Sequence, residues 1–305
     1  MANWNYTDIS IDGRLYKALT PLIVSASRST DIPAFYADWF FKRLEIGYSA
    51  WTNPFNGIKS YISYKDTRFI VFWSKNPKPL LQYLHILEKR GIKCYIQYSL
   101  NDYEKEGLEK FVPPLRQRIE TFKKLVDTLG VGHVVWRFDP LVLTDNINID
   151  TLLAKVENIG DQLQGYTEKL VFSFADILSY RKVQTNLQKA NIHYVDWTET
   201  QMQNFAQCLS VLNHKWKYEL ATCGEKIDLQ KYGVHKNHCV DDNLIIQLAY
   251  DDKVLMDYLK VKLFPLPQAS LFGEVEPLPE GAIILPNGMY ATHGDNRDNG
   301  QREFL

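Results

Sequence analysis

The sequence predicts an α/β protein: a partial (β/α)6, TIM-like barrel of parallel strands, followed by a Pro-rich C-terminal arm. Three observations predict it. Six short runs rich in β-branched and aromatic residues recur along the chain, nearly continuous in apolar character, as strands covered on both faces require. Helical patterns lie between them, two of them, 77–91 and 113–130, punctuated by Pro at the start and Gly at the end. The spacing averages about forty residues per unit, which suits a barrel with right-handed crossovers; an open doubly wound sheet is the alternative.

The strand runs are LIVSAS (22–27), RFIVFWS (68–74), KCYIQYS (93–99), HVVWRF (133–138), KLVFSF (169–174) and KYELAT (217–222). Between them, the helical windows are residues 34–47, 77–91, 113–130, 148–165 and 198–215. The stretch FPLPQASLFGEVEPLPEGAIILPNG holds five of the chain's 13 prolines and reads as an extended arm or cover. The division expected is an N-terminal extension (1–20), the barrel (21–260) and the arm (261–305).

Composition narrows the function classes. With 305 residues, 45% hydrophobic and 13% aromatic, a large core is easily supplied. A formal charge of −1 gives no bulk electrostatic case for nucleic acid or membrane, so any such site is a local patch. No apolar run approaches the length of a membrane span and no secretory signal is visible, so a cytoplasmic location is expected. The four cysteines, Cys94, Cys208, Cys223 and Cys239, are too scattered for a disulfide scaffold and read as reduced thiols or ligands.

Each strand run ends in polar residues. The first gives Ser25, Arg28 and Asp31; the second Trp73, Lys75 and Asn76; the third Ser99 and Asn101. The fourth gives Arg137 and Asp139, the fifth Ser173 and Asp176, the sixth Cys223 and Glu225. In parallel α/β folds these ends converge on the face that carries the site. Any one of them is equally well a strand end meeting water, and Arg137 with Asp139 equally well an internal ion pair. Six in succession favour a functional mouth.

The segment CGEKIDLQKYGVHKNHC brings Cys223, His235, His238 and Cys239 within reach of one another. A zinc site, part of an iron–sulfur cluster completed elsewhere, and plain thiols with surface imidazoles all remain open. In the tail, GDNRDN (294–299) matches a box of bacterial signal peptidases, a coincidence in a chain without a membrane anchor. QASLF (268–272) resembles the pentapeptide by which bacterial repair and replication proteins dock on the sliding clamp. There Leu271 and Phe272 would enter an apolar groove with Gln268 at its edge; the alternative is that they anchor the arm on its own barrel.

SASRSTDIPAFY (25–36), NPFN (53–56), FWSKNP (72–77), WRFDPLVLT (136–144), SFAD (173–176) and CGEKIDLQKYGVHKNHCVDD (223–242) together resemble a bacterial family known as domain of unknown function 1848. That family is similar to radical-SAM enzymes and, more distantly, to spore photoproduct lyase. The resemblance implies a partial barrel that binds S-adenosylmethionine and a [4Fe–4S] cluster. Arg28, Lys75 or Arg137 would hold the methionine carboxylate, Asp139 or Asp176 the ribose hydroxyls. Ser99 and Asn101 would orient substrate, and Cys223 and Cys239 would serve an auxiliary cluster. Lys75, Arg137 and Asp139 are the expected catalytic set. Ser25, Arg28, Asp31, Asn76, Ser99, Asn101, Ser173, Asp176 and Glu225 are the expected binding set.

The resemblance also implies a cysteine-rich segment after Gln301 and Arg302, whereas this chain ends at Leu305, so either a truncated enzyme or one lacking its cluster is expected. The expected function is a radical-SAM-like enzyme acting on a nucleic-acid or nucleotide substrate. The alternative is a non-catalytic binding module that docks on a clamp. A metal-dependent hydrolase is disfavoured, because the strand ends lack the His and carboxylate clusters such sites use.

Overall fold

The structure, a computed structural model, describes residues 5–27, 30–52, 57–267 and 277–293. The chain opens with a hairpin of β1 (Tyr6–Ile11) and β2 (Arg14–Leu19). Asp12 and Gly13 turn it at φ 50° and 77°, the positive pair that a two-residue hairpin turn needs. Then come β3 (Ile23–Ser25), α1 (Ile32–Phe35), α2 (Ala37–Ile46), β4 (Tyr48–Thr52), β5 (Lys59–Ser63) and β6 (Phe69–Ser74). A 3-10 turn (Lys78–Gln82) precedes α3 (Leu84–Lys89), β7 (Lys93–Ser99), α4 (Leu115–Leu129), β8 (Val134–Leu141), β9 (Leu143–Thr144) and α5 (Ile149–Leu163). Next are β10 (Lys169–Phe174), α6 (Arg181–Lys189), β11 (Tyr194–Val195), α7 (Glu199–Asn213), β12 (Glu219–Cys223) and β13 (Val234–Asn237). The described part closes with α8 (Asp242–Ala249), α9 (Lys253–Leu259), β14 (Val261–Pro265), β15 (Ile283–Ile284) and β16 (Met289–His293).

Seven strands form one all-parallel sheet in the order β3-β6-β7-β8-β10-β12-β13. The order never reverses. Successive right-handed crossovers therefore advance in one direction and lay their helices on one face, so the sheet curls into a half-barrel. A doubly wound sheet would show a switch point, and this one has none. The six expected strands are all present. The seventh, β13, follows β12 through a 3-10 turn, Gln230–Tyr232, rather than a helix. Outside the half-barrel, β1, β2, β5 and β4 form a small mixed sheet that the strand runs did not announce.

Side-chain alternation splits the core in two. Ile70, Phe72, Ile96, Tyr98, Trp136, Phe138, Leu170 and Phe172 face the helices. Phe69, Val71, Tyr95, Val135, Val171 and Ala221 face the concave side, where Ile245, Leu255, Met256, Leu259, Ile283 and Ala291 cover them. Thus α8, α9 and the β14-β16-β15 sheet close the concave side of the half-barrel, and at the C-terminal strand ends Cys223 packs against this cluster.

Gly160, inside α5, is a close-approach position. A Cβ there would lie 2.5–2.8 Å from the ring of Trp216, whose Nε1 donates to Asp161 Oδ1 (2.7 Å) and whose ring stacks on Tyr218. Alanine would gain up to about 1 kcal/mol of helix propensity. Overpacking a rigid, pinned ring costs about 1–3 kcal/mol. Gly160→Ala is expected to lower stability, read as a lower urea midpoint.

Candidate functional site at the half-barrel mouth

The site is built on β8. Its alternation sends Val134, Trp136 and Phe138 into the helix-side core and turns Arg137 and Asp139 to the concave side. Arg137 has no exposed side-chain surface. Its Nε and Nη2 donate to Asp139 Oδ2 (3.1 and 2.5 Å), and Nη1 donates to Gln97 Oε1 (2.6 Å). The guanidinium carbon lies 4.1 Å from the centre of the Trp73 ring, a cation–π stack. Burial alone would lower the Arg137 pKa; the Asp139 carboxylate and the Cys223 sulfur beside it outweigh that and hold it above its ordinary value.

Asp139 is 16% exposed and is gripped from β8, from β10 and from the segment that follows β7. Oδ1 accepts from Ser173 Oγ (2.5 Å). Phe172 pairs with Phe138, so the next residues along, Ser173 and Asp139, come side by side on the concave face just before the pairing shifts register. Behind it, buried Asn101 clamps the backbone: Asp139 N donates to Asn101 Oδ1 (2.9 Å) and Asn101 Nδ2 donates to Asp139 O (3.2 Å). Tyr103 repeats the device, its hydroxyl donating to Pro140 O (2.8 Å) and accepting from Val142 N (3.0 Å).

On one side of this core, Trp73 Nε1 donates to Ser99 Oγ (2.9 Å) and Trp73 N to Ser27 Oγ (3.2 Å). On the other, Glu225 Oε1 accepts from Phe174 N (2.8 Å). Burial and the neighbouring Asp139, Cys223 and Asp176 push the Glu225 carboxyl above its ordinary value, although the Phe174 hydrogen bond opposes this. A raised folded value means stability is greatest below the unfolded value of about 4.3 and falls as pH rises through the folded one. Glu225→Gln keeps an oxygen for Phe174 and loses the charge. It is expected to melt higher than the parent at about pH 8 and level with it at about pH 4.

Cys223 ends β12, and its Sγ lies 4.0 Å from that of Cys239. Cys239 and burial push the Cys223 thiol up, while Arg137 opposes them. Cys94 is enclosed in the helix-side core, its thiol pushed up to about 12 by burial. Cys208 sits on α7 against Asn204. His235 and His238 are exposed, and among the described residues no three His, Cys, Asp or Glu side chains are grouped to hold a metal.

The mouth thus brings together Trp73, Ser99, Asn101, Arg137, Asp139, Ser173, Cys223 and Glu225. Asp31 has another occupation: Oδ1 caps α1 through Ala34 N (3.0 Å) and Oδ2 accepts from Lys75 N (2.9 Å). Lys75 Nζ reaches Glu109 Oε1 (2.5 Å), which also accepts from Asn101 Nδ2 (3.2 Å), so the lysine meets the site through Glu109. Asp176 accepts from Ser179 N and Oγ in its own turn. Asn76 N donates to Ser74 Oγ, and Ser25 is half-buried at the end of β3. Arg28, the NPFN motif, Gln268, Leu271, Phe272, GDNRDN, Gln301 and Arg302 lie outside the described residues.

Strand-end reasoning passed over Gln97, Tyr103, Glu109 and Arg118. Gln97 had a signal, a lone amide within an otherwise apolar strand. Arg118 had one too: it stands in the stripe Leu115, Ile119, Phe122, Val126, where a cation is out of place. It is 1% exposed and lies 3.6 Å from Glu109 and 3.9 Å from Glu104.

No helix among the described residues is long and apolar enough to cross a membrane. No curated protein matches the chain. The sequence profile of the family described as Domain of unknown function (DUF1848) matches residues 23–262. That span runs from the first residue of β3 into β14, so it encloses the whole parallel sheet and the mouth just described. The chain belongs to the DUF1848 family.

Proposed function

We propose that the chain is a radical-SAM-like barrel whose mouth binds an adenosyl ligand of the S-adenosylmethionine class. One observation carries this reading: a partly open Asp139 carboxylate, fixed by Arg137 and Ser173 at the C-terminal face of a half-barrel, with Glu225 nearby. Fixed carboxylates with hydroxyls between them suit ribose hydroxyls and an ammonium group. Arg137 is spent on Asp139 and Gln97, so its part is to hold Asp139 rather than to take the ligand's carboxylate.

The described residues do not fit a [4Fe–4S] cluster. Such a cluster, with one iron left open, needs three thiolates, and only Cys223 and Cys239 come together. These residues therefore supply ligand binding and positioning.

A nucleotide or nucleic-acid substrate is favoured by exposed aromatic rings on the segments that follow the strand ends. These are Phe35 and Tyr36 beyond β3, Phe111 beyond β7, and Tyr180 beyond β10. Bases stack on such rings at about 1–3 kcal/mol each.

Titration calorimetry of the purified chain with S-adenosylmethionine and S-adenosylhomocysteine tests the proposal. Saturable binding is expected. Asp139→Asn, which loses a charge-assisted hydrogen bond worth about 1.5–3 kcal/mol, is expected to weaken it at least about tenfold. A folded parent chain that binds neither compound would remove the reading.

A further inference from the structure

We propose that Cys223 and Cys239 form a thiol–disulfide exchange site at the barrel mouth. In it the exposed Cys239 meets a small external disulfide, and Cys223 then closes an internal bond. The inference does not rest on the adenosyl-ligand reading.

Geometry supports it first. The two Sγ atoms are 4.0 Å apart. Cys223 ends β12 opposite Asn237, the last residue of the neighbouring parallel strand β13, and Cys239 follows two residues later in the turn beyond it. A disulfide needs about 2 Å between sulfurs, so side-chain rotation has about 2 Å to cover.

The approach is also held in place. Cys239 O accepts from Gln97 Nε2 (2.8 Å), and Gln97 is fixed by Arg137. Two residues on, Asp241 N donates to the Tyr95 hydroxyl (2.9 Å), and Asp241 Oδ2 holds Lys169 Nζ (2.6 Å). Asp241 Oδ1 caps α8 through Leu244 N (3.2 Å). The segment carrying Cys239 is therefore tied to β7, β10 and α8, and the sulfur separation belongs to the frame rather than to a loose loop.

Access divides the roles. Cys239 is exposed and Cys223 half-buried beside Arg137. The Cys239 thiolate attacks one sulfur of a low-molecular-weight disulfide, RSSR. The external S–S bond breaks, RS⁻ leaves, and a mixed disulfide forms on Cys239. Cys223 gives its proton to solvent and attacks the Cys239 sulfur, expelling the second RS⁻. The dithiol loses two electrons and two protons, and RSSR becomes two RSH. Arg137, next to Cys223, opposes the rise that Cys239 and burial impose on this thiol, and the Cys239 thiol is no longer there as its partner once the mixed disulfide has formed.

The test uses the full chain, reduced and then equilibrated in buffers of oxidised and reduced glutathione. Acid quenching, alkylation and peptide mass mapping follow. A Cys223–Cys239 linked peptide, lighter by two hydrogens, is expected, with Cys94 and Cys208 recovered as thiols. Cys223→Ser is expected to stop at a glutathione adduct on Cys239, and Cys239→Ser to react at least about tenfold more slowly at Cys223. Two results would overturn the proposal: persistent glutathione on Cys239 of the parent chain without an internal bond, or both cysteines recovered as thiols in fully oxidised glutathione.

Discussion

Arg137→Ala is expected to destabilise the fold by about 3–5 kcal/mol, the range for breaking a buried ion pair by removing one partner. Three losses coincide. Asp139 Oδ2 loses both of its guanidinium donors, Gln97 Oε1 loses its donor, and the Trp73 ring loses the cation stacked on it. Arg137→Lys is expected to recover less than half of the loss. A single ammonium cannot match a planar fork that serves Asp139 and Gln97 together. Adding Asp139→Asn to Arg137→Ala is expected to restore part of the stability, because the orphaned charge is then gone. Urea unfolding of the four proteins measures this. A loss below about 1 kcal/mol for Arg137→Ala would show the pair to be no stronger than a surface bridge and the mouth to be organised by other groups.

The neighbouring residue answers to a different force. Trp136→Ala is expected to cost about 3–5 kcal/mol through a cavity rather than a charge. Trp136 is fully buried on the helix side, edge-on to Tyr218 (6.3 Å), with Nε1 donating to Leu100 O (3.0 Å). Trp136→Phe keeps most of the apolar area and orphans the Leu100 carbonyl. About 1–3 kcal/mol of loss is expected for that alone. The two positions separate by salt and chemistry: a charged partner rescues one, a ring rescues the other. If Trp136→Phe were as damaging as Trp136→Ala, the hydrogen bond would outweigh the packing.

Much of the frame was legible because its signals are local. The runs 93–99 and 169–174 coincide with β7 and β10, Pro113, Pro114 and Gly130 bracket α4, and Asn148 and Gly165 bracket α5. The window 77–91 was less so. Expected as one helix, it divides into a 3-10 turn and α3 around Tyr83. The window 34–47 likewise breaks at Tyr36, where φ is −134° and the single turn capped by Asp31 ends. Neither the β1-β2-β5-β4 sheet nor β13 was read in advance, since short strands with exposed faces carry little periodic signal.

By itself, then, the sequence determined the strands, their parallel winding, and the rule that polar residues gather where the strands end. Nearly continuous apolar runs with polar ends, spaced by helical windows, suffice for that, because they depend only on neighbours in the chain. Tertiary structure alone decided which of those residues meet. The pairing of β10 with β8, Phe172 opposite Phe138, brings Ser173 to Asp139. The curl of the sheet carries Gln97 to both Arg137 and the Cys239 backbone, and a turn after β13 sets two sulfurs 4.0 Å apart. Such encounters join residues 16 to 142 positions apart. They depend on inter-strand register and curvature, which no local pattern of side chains encodes.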